Sequence, residues 1–336
     1  MRELSLGNDH KANPLYTHMT ELQRQIKTKF SEFPLEFDVP MSQKTYFKLG
    51  GPAEVYVELA QKEQIASLIN WCQENHYQYH FLGGGSNIIV ADQGIAGIVI
   101  KIINQSIELE KKSNYALIRV GAGMKTALCV RKTIDEGYGG LEYFLGVPGT
   151  IGGAIYNNAH YLEDLIGAHV NRVEVLTEKG DFTWLDKETC EFAYDSSRFQ
   201  RTKEIIYQVE FLLEQGDKNE SMAMVKKATE YRAQTQPLGL PSSGCIFQNV
   251  PNSQTLKELF PQFKERTHVP GGFLIDQAGL KGAHEGDIEV SEKHAAFFVN
   301  KGNGTADQVQ KLITRVKQKV AEKFNVSLQE EVFWLK

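Results

Sequence analysis

Cysteine is scarce. The 336 residues hold four, Cys72, Cys129, Cys190 and Cys245, with no paired spacing that would build a structural metal site. This excludes a disulfide framework and a zinc ribbon and points to a reducing compartment. Long apolar runs are missing as well. None reaches the ~18 residues of a membrane span, and no basic-then-apolar leader opens the chain, so a cytoplasmic protein without membrane insertion is expected. Positive charge is not in excess. A formal net charge of -5 argues against a nucleic-acid partner, which requires a basic face. There is no internal repeat and no low-complexity tract. What remains is a globular chain long enough for two or three domains of ~150 residues each.

The most informative absence is local. No charged side chain occurs in 143–159 (YFLGVPGTIGGAIYNNA), where Gly146, Pro148, Gly149, Gly152 and Gly153 alternate with small or apolar residues, Thr150 and Ala154 among them. An anion held here is held by backbone amides, because glycine lets the main chain approach closely and expose its N–H groups. The plain alternative is a glycine turn between packed elements. A second cluster, 81–87 (FLGGGSN), sets Gly83, Gly84, Gly85, Ser86 and Asn87 between an apolar pair and a β-branched run. It reads as strand, anion-binding loop, strand. It is not a dinucleotide fingerprint, since the last glycine position falls on Ile88 and no helix follows directly. The nearest such pattern, Gly121-Ala-Gly123-Met-Lys-Thr126, ends in threonine.

Periodicity predicts helices over 17–33, 62–76, 124–138, 221–235 and 305–324. Strands are predicted within 44–58 around a glycine turn, within 86–103, and over 116–120, 170–176 and 205–213. The polar residues 1–15 are expected to be mobile. The charged stretch 214–220 reads as a domain boundary.

Together FLGGGSN and GVPGTIGGA resemble the flavin-binding core of the UDP-N-acetylenolpyruvoylglucosamine reductase (MurB) family, within the vanillyl-alcohol-oxidase or PCMH-type FAD-binding fold. The resemblance runs from about Tyr46 to the C-terminus. It implies an α+β architecture: a partly helical N-terminal extension (1–35), an FAD-binding domain of two α+β subdomains (36–215, divided near 105), and a C-terminal α+β substrate domain (216–336). It also implies the family type that lacks an inserted tyrosine loop. FAD would lie non-covalently with its diphosphate on both glycine loops, and Tyr46 falls in a stretch the family keeps near its flavin. NADPH would be the reductant. The substrate would be UDP-N-acetylglucosamine enolpyruvate and the product UDP-N-acetylmuramate, a peptidoglycan precursor, with no metal required.

The same resemblance names site residues. Cys245, in Gly244-Cys245-Ile246-Phe247, stands where the family has a proton-donating serine. A thiol of ordinary pKa ~8.5 is mostly protonated at neutral pH and suits that role. Its three fellow cysteines lie in apolar patterns and read as packed and inert. Glu331, in LQEEVFWLK, matches a family glutamate that assists protonation, with Glu330 as the alternative register. The family's polarising arginine falls on Asp195, so the nearest guanidinium, Arg198, is the candidate, with Arg201 as its alternative. A family lysine falls near Thr235, leaving Arg232 or Lys281 for a cationic contact to the UDP diphosphate. Asn249, Lys281 and His294 lie in further matching stretches on the substrate side. The segment NNAHYLED departs from the family's small-residue run and puts His160 and Tyr161 at the nicotinamide or substrate pocket.

Overall fold

The computed structural model describes residues 19–161 and 164–336. The expectations for residues 1–15 and for the first turn of the 17–33 helix lie outside them. The helix itself, α1 (Glu21–Lys29), starts on a capping box: the Gln23 N–H donates to the Thr20 hydroxyl, and the Thr20 N–H donates to the Gln23 side chain. Leu22, Ile26, Phe30 and Phe33 bury beside Trp71, so the extension belongs to the first core.

The first subdomain comprises β1 (Leu35–Pro40), β2 (Pro52–Leu59), α2 (Lys62–Glu74), β3 (Tyr79–Leu82), β4 (Ile88–Val90) and β5 (Ile95–Ile102). Its sheet runs β1-β2-β5-β3, antiparallel at β1–β2 and parallel elsewhere. The inner β5 is nearly all apolar, with Ile98, Val99 and Ile100 wholly buried. The strand expected ahead of Gly50 does not form. Residues 44–51 are a loop, Lys48 takes a left-handed φ of 58°, and Phe47 and Leu49 insert into the C-terminal core. The apolar alternation there marks an inter-domain plug.

The second subdomain contains β6 (Ile107–Lys111), β7 (Tyr115–Gly121), α3 (Thr126–Asp135), α4 (Ile151–Tyr156), the short pair β8 (His160–Tyr161) and β9 (Asp164–Leu165), β10 (Val170–Leu176), β11 (Phe182–Asp186) and β12 (Ile205–Glu214). Its antiparallel sheet has the order β11-β10-β12-β7-β6. Glu210, buried on the central strand, accepts from Arg119 (2.6 Å), Arg172 (2.8 Å) and Asn171 (2.7 Å). Burial alone would raise its carboxyl; the bonds from Arg172, Asn171 and Arg119 outweigh that and hold it low. Helix α5 (Lys218–Thr235) follows, capped by Asp217. Val225 joins the first core, and the Ser221 hydroxyl donates to Glu142 (2.6 Å). The charged 214–220 stretch therefore ends a strand, and the change of core comes after α5.

The last body contains β13 (Val250–Pro251), α6 (Gln254–Leu259), β14 (His268–Val269), α7 (Gly271–Gln277), β15 (His284–Glu285), β16 (Ile288–Val290), β17 (Phe298–Asn300) and α8 (Ala306–Phe324). Helix α8 opens on a second capping box at Thr305 and buries the expected stripe of Val309, Leu312, Ile313, Val316 and Val320. The final strand, β18 (Phe333–Leu335), leaves this body and pairs in parallel with β4, Phe333 opposite Ile88. It returns the chain end to the first glycine loop.

The two glycine loops meet main chain to main chain. A Cβ on Gly84 would lie 2.3 Å from the Gly149 Cα, and one on Gly85 would lie 2.5 Å from the Lys44 carbonyl oxygen. Gly84→Ala must push the loops apart. We expect a loss of about 1–3 kcal/mol, the range for overpacking a close contact, read as a lower denaturant midpoint. An unchanged midpoint would mean the loops separate without cost.

Candidate active site

A cavity of about 1470 Å³ runs between the three bodies. Both glycine loops form one wall, and Tyr46, Tyr194, Arg232, Gly244, Cys245, Asn249, His294 and Glu331 complete it. Among the described residues, no protein acceptor takes the N–H groups of Gly83 through Asn87, nor those of Gly149 and Thr150. Successive unpartnered amides on two touching loops are a donor set for a diphosphate. Gly152 and Gly153 line the cavity as well, but not as free amides. Their N–H groups already donate to the Ala122 carbonyl and the Thr150 hydroxyl, and a Cβ on Gly152 would lie 2.9 Å from that of Ala122. Gly152 is small so that α4 can pack, whereas a Cβ on Gly153 would meet only the Thr150 hydroxyl, at 3.6 Å. Gly146 likewise makes room for Arg232, whose Cδ would lie 2.7 Å from an added Cβ.

Facing the loops is an acidic corner. Gly244, at φ +83°, turns the chain so that Cys245 forms a bridge to Phe297. Ile246 is the shared rung, its N–H donating to Ala296 O and its carbonyl accepting from the Glu331 N–H, both at 2.8 Å. Cys245 and Glu331 thus arrive on one wall from opposite sides. Burial, then the nearby carboxylates of Glu331 and Asp195, push the Cys245 thiol well above its ordinary value, with Arg232 acting weakly the other way. Burial and then Asp195 do the same to the Glu331 carboxyl. Both shifts favour the protonated forms, so the corner is suited to donating protons and disfavours a thiolate nucleophile. Cys72, Cys129 and Cys190 are buried in the first core and pushed up to about 12 by burial, as befits inert packing. Glu330 is occupied elsewhere, by Lys317 and the Trp334 indole (2.9 Å).

The structure does not bring Arg198 into the cavity. Its guanidinium grips Glu204 with two bonds of 2.7 and 2.9 Å. Arg201 pairs with Glu191. Lys281 also lies off the lining, paired with Asp276 at 2.8 Å. Arg232 does line it. One of its nitrogens donates to Gly146 O (2.9 Å), the guanidinium lies over the Tyr161 ring, and Nε is buried without a partner. That is a cation still owed an acceptor. His294 lines the cavity, and burial lowers its imidazole, favouring the neutral ring. Asn249 donates to the Tyr194 hydroxyl (2.8 Å). His160 lines the cavity beside Tyr194.

Sequence reasoning missed the far arm of the cavity, built from His80, Phe81 and 202–206. These are ordinary strand and loop residues, and only the meeting of the two sheets opens them to the cavity. It also missed Ser243, whose buried hydroxyl has no partner and whose signal was its place directly before Gly244.

Comparison with known proteins bears on this geometry. Residues 236–335 match the family described as UDP-N-acetylenolpyruvoylglucosamine reductase, C-terminal domain, and residues 53–186 match an FAD binding domain. The first match begins where α5 ends. A UDP-N-acetylenolpyruvoylglucosamine reductase from Alkaliphilus oremlandii is 36% identical over 88% of this chain and 91% of its own length. The enzyme of that name from Carboxydothermus hydrogenoformans is 33% identical over 93% of this chain and 97% of its own. The crystal structure of the reductase (MurB) from Thermus caldophilus superposes with a TM-score of 0.73 at 28% identity, covering 90% of this chain and 99% of that one.

The state of Glu331 sets a pH dependence of stability. The folded protein keeps a proton that the unfolded chain loses above its ordinary carboxyl pKa of ~4.3. Stability therefore falls as pH rises from that value towards the raised folded pKa. Glu331→Gln should remove this slope, giving a variant that gains stability over the parent at neutral pH and loses the advantage near pH ~4. Denaturant midpoints across that range test it; parallel curves for parent and variant would show that Glu331 is not buried as the acid.

Proposed function

The chain belongs to the UDP-N-acetylenolpyruvoylglucosamine reductase family, and from that premise we propose that it uses NADPH and FAD to reduce UDP-N-acetylglucosamine enolpyruvate to UDP-N-acetylmuramate for peptidoglycan synthesis. The observation that carries this reading is the meeting, across one cavity, of unpartnered amides on two glycine loops with two acidic groups whose surroundings favour the protonated form. FAD, when bound, supplies the hydride carrier between NADPH and the enolpyruvyl C3.

The chain's own residues do the rest. The amides of Gly83 to Asn87, with Gly149 and Thr150, hold the FAD diphosphate, and Tyr46 borders the same wall. The Cys245 thiol gives its proton to C2 of the substrate. Glu331, as the acid, donates a hydrogen bond to the carboxylate that gathers charge as C3 is attacked. Arg232 offers its free Nε–H to the anionic sugar nucleotide, and Gly244 and Asn249 shape the pocket around it. Burial of this corner strengthens each of these interactions by keeping water out. The domain division we favour puts residues up to the end of α5 with the FAD-binding part and residues from 236 onward with the substrate part. No helix among the described residues is long and apolar enough to cross a membrane. For an enzyme drawing on NADPH and a UDP-sugar we infer a cytoplasmic location.

The direct test is purification, a flavin spectrum, acid precipitation and turnover with NADPH and the enolpyruvyl sugar nucleotide. All flavin should be released by acid; a protein that takes up no FAD would overturn the reading. Rapid mixing then isolates Cys245. Cys245→Ala should slow reoxidation of the reduced enzyme by the enolpyruvyl substrate by about 10²–10⁴-fold, the worth of a positioned acid, and leave reduction by NADPH nearly unchanged. Cys245→Ser should retain measurable turnover. Equal slowing of both halves would make the residue structural.

A further inference from the structure

Asp195 is an acid placed among acids. It sits at left-handed φ (49°) in the 193–196 turn, which closes through reciprocal bonds between Ala193 and Ser196. Asn158 pins the turn through the Ala193 carbonyl (2.6 Å), and Gln200 through the Asp195 carbonyl (3.0 Å). The carboxylate is 1% exposed and lies close enough to Cys245 and Glu331 to disfavour ionisation of both. One of its oxygens is buried with no hydrogen-bond partner. The other accepts from Nδ1–H of His160 at 2.9 Å. A buried carboxylate in such company requires a cationic neighbour, and among the described residues the imidazole is the group it holds.

With Nδ1 committed to Asp195, the imidazole is oriented by a buried anchor, the arrangement that fixes tautomer and ring direction. The rest of the ring, 23% exposed, lines the cavity, its centroid 4.8 Å from that of Tyr194. Among the described residues Nε2 has no partner. In its protonated form it presents an N–H to whatever anion arrives. The guanidinium nearest in sequence, Arg198, is held by Glu204 and cannot reach.

We propose that His160, positioned by Asp195, binds the carboxylate of the enolpyruvyl substrate and of the lactyl product, taking the place of an arginine in this chain. This rests on the function proposed above. His160 and Cys245 line one cavity, and in a substrate whose C2 lies at the Cys245 thiol the carboxylate is one bond from C2. As hydride reaches C3, the C2–C3 electron pair moves toward the carboxylate. Nε2–H stabilises that charge by a charge-assisted hydrogen bond until the Cys245 proton reaches C2. His160 itself neither gains nor loses a covalent bond.

The test is binding to the FAD-loaded protein, measured by calorimetry with two sugar nucleotides. UDP-N-acetylmuramate carries the carboxylate; UDP-N-acetylglucosamine lacks it. The parent should prefer the first. His160→Asn should reduce that preference by about 10- to 100-fold, the worth of a hydrogen bond to a charged group, while binding of UDP-N-acetylglucosamine holds. Asp195→Asn, which replaces the carboxylate holding Nδ1 with a neutral amide, should lower the preference in the same direction while binding of UDP-N-acetylglucosamine holds. Full preference in His160→Asn, equal weakening of both ligands, or full preference in Asp195→Asn would overturn the proposal. A parent that binds neither nucleotide would overturn the proposed function and this inference together; a parent that prefers the carboxylated ligand with an indifferent His160 would overturn the inference alone.

Discussion

Gly84 and Gly149 approach so closely that no side chain fits between their backbones, and the geometry of the cavity follows from that contact. The Ser86 hydroxyl donates to the Pro148 carbonyl (3.1 Å), the Tyr46 N–H to the Gly85 carbonyl (2.9 Å), and the Thr126 N–H to the Gly149 carbonyl (3.2 Å). Each of these bonds uses a loop carbonyl as acceptor and leaves the loop's N–H groups free. Two subdomains are joined at a seam that leaves a run of successive N–H groups unpaired. A bound diphosphate is the natural complement, since unpaired buried amides are costly and an anion satisfies several at once.

The opposite wall depends on the chain end. Strand β18 adds to β4, the Asn87 side chain donates to the Glu331 carbonyl (3.2 Å), and Ile246 ties the Glu331 backbone to the Cys245 segment. One loop therefore provides amides toward the diphosphate and anchors the acid that serves the substrate. The register follows from the same pairing. Glu330 turns to Lys317 and Trp334, and Glu331 turns inward. The electrostatics reinforce the packing. Burial and neighbouring carboxylates disfavour ionisation of Cys245 and Glu331, and Asp195 takes an imidazole partner.

Two departures from the family pattern meet in this corner. Aspartate stands in the arginine position, and Thr235 stands near the lysine position. The Thr235 hydroxyl bonds back to the Tyr231 carbonyl (2.8 Å) and does not line the cavity. In the function proposed for the chain, Arg232, one turn earlier on α5, and His160, held by the aspartate, take up the cationic contacts from two other elements.

Local pattern in the sequence was enough to determine the helices α2, α3, α5 and α8, the strands β2, β5, β7, β10 and β12, and the two uncharged glycine loops, because period, capping residues and backbone freedom act over a few neighbours; the edge strands β1, β6 and β11 carried no such signal. Motif resemblance reached Cys245 and Glu331 because those residues sit in short contiguous stretches. The rest was decided by tertiary structure. Phe47 and Leu49 read as strand until a second core takes them in. Gly152 and Gly153 read as ligand amides until Ala122 and Thr150 claim their N–H groups. Arg198 and Arg232 are equivalent as residue types, and they differ because Glu204 lies beside one while the other reaches the space between bodies. Asn87 and Glu331 meet across 244 residues, and His160 meets Asp195 across 35. Which side chains share a cavity depends on how separately stabilised bodies dock, and no periodicity within a single segment encodes that docking.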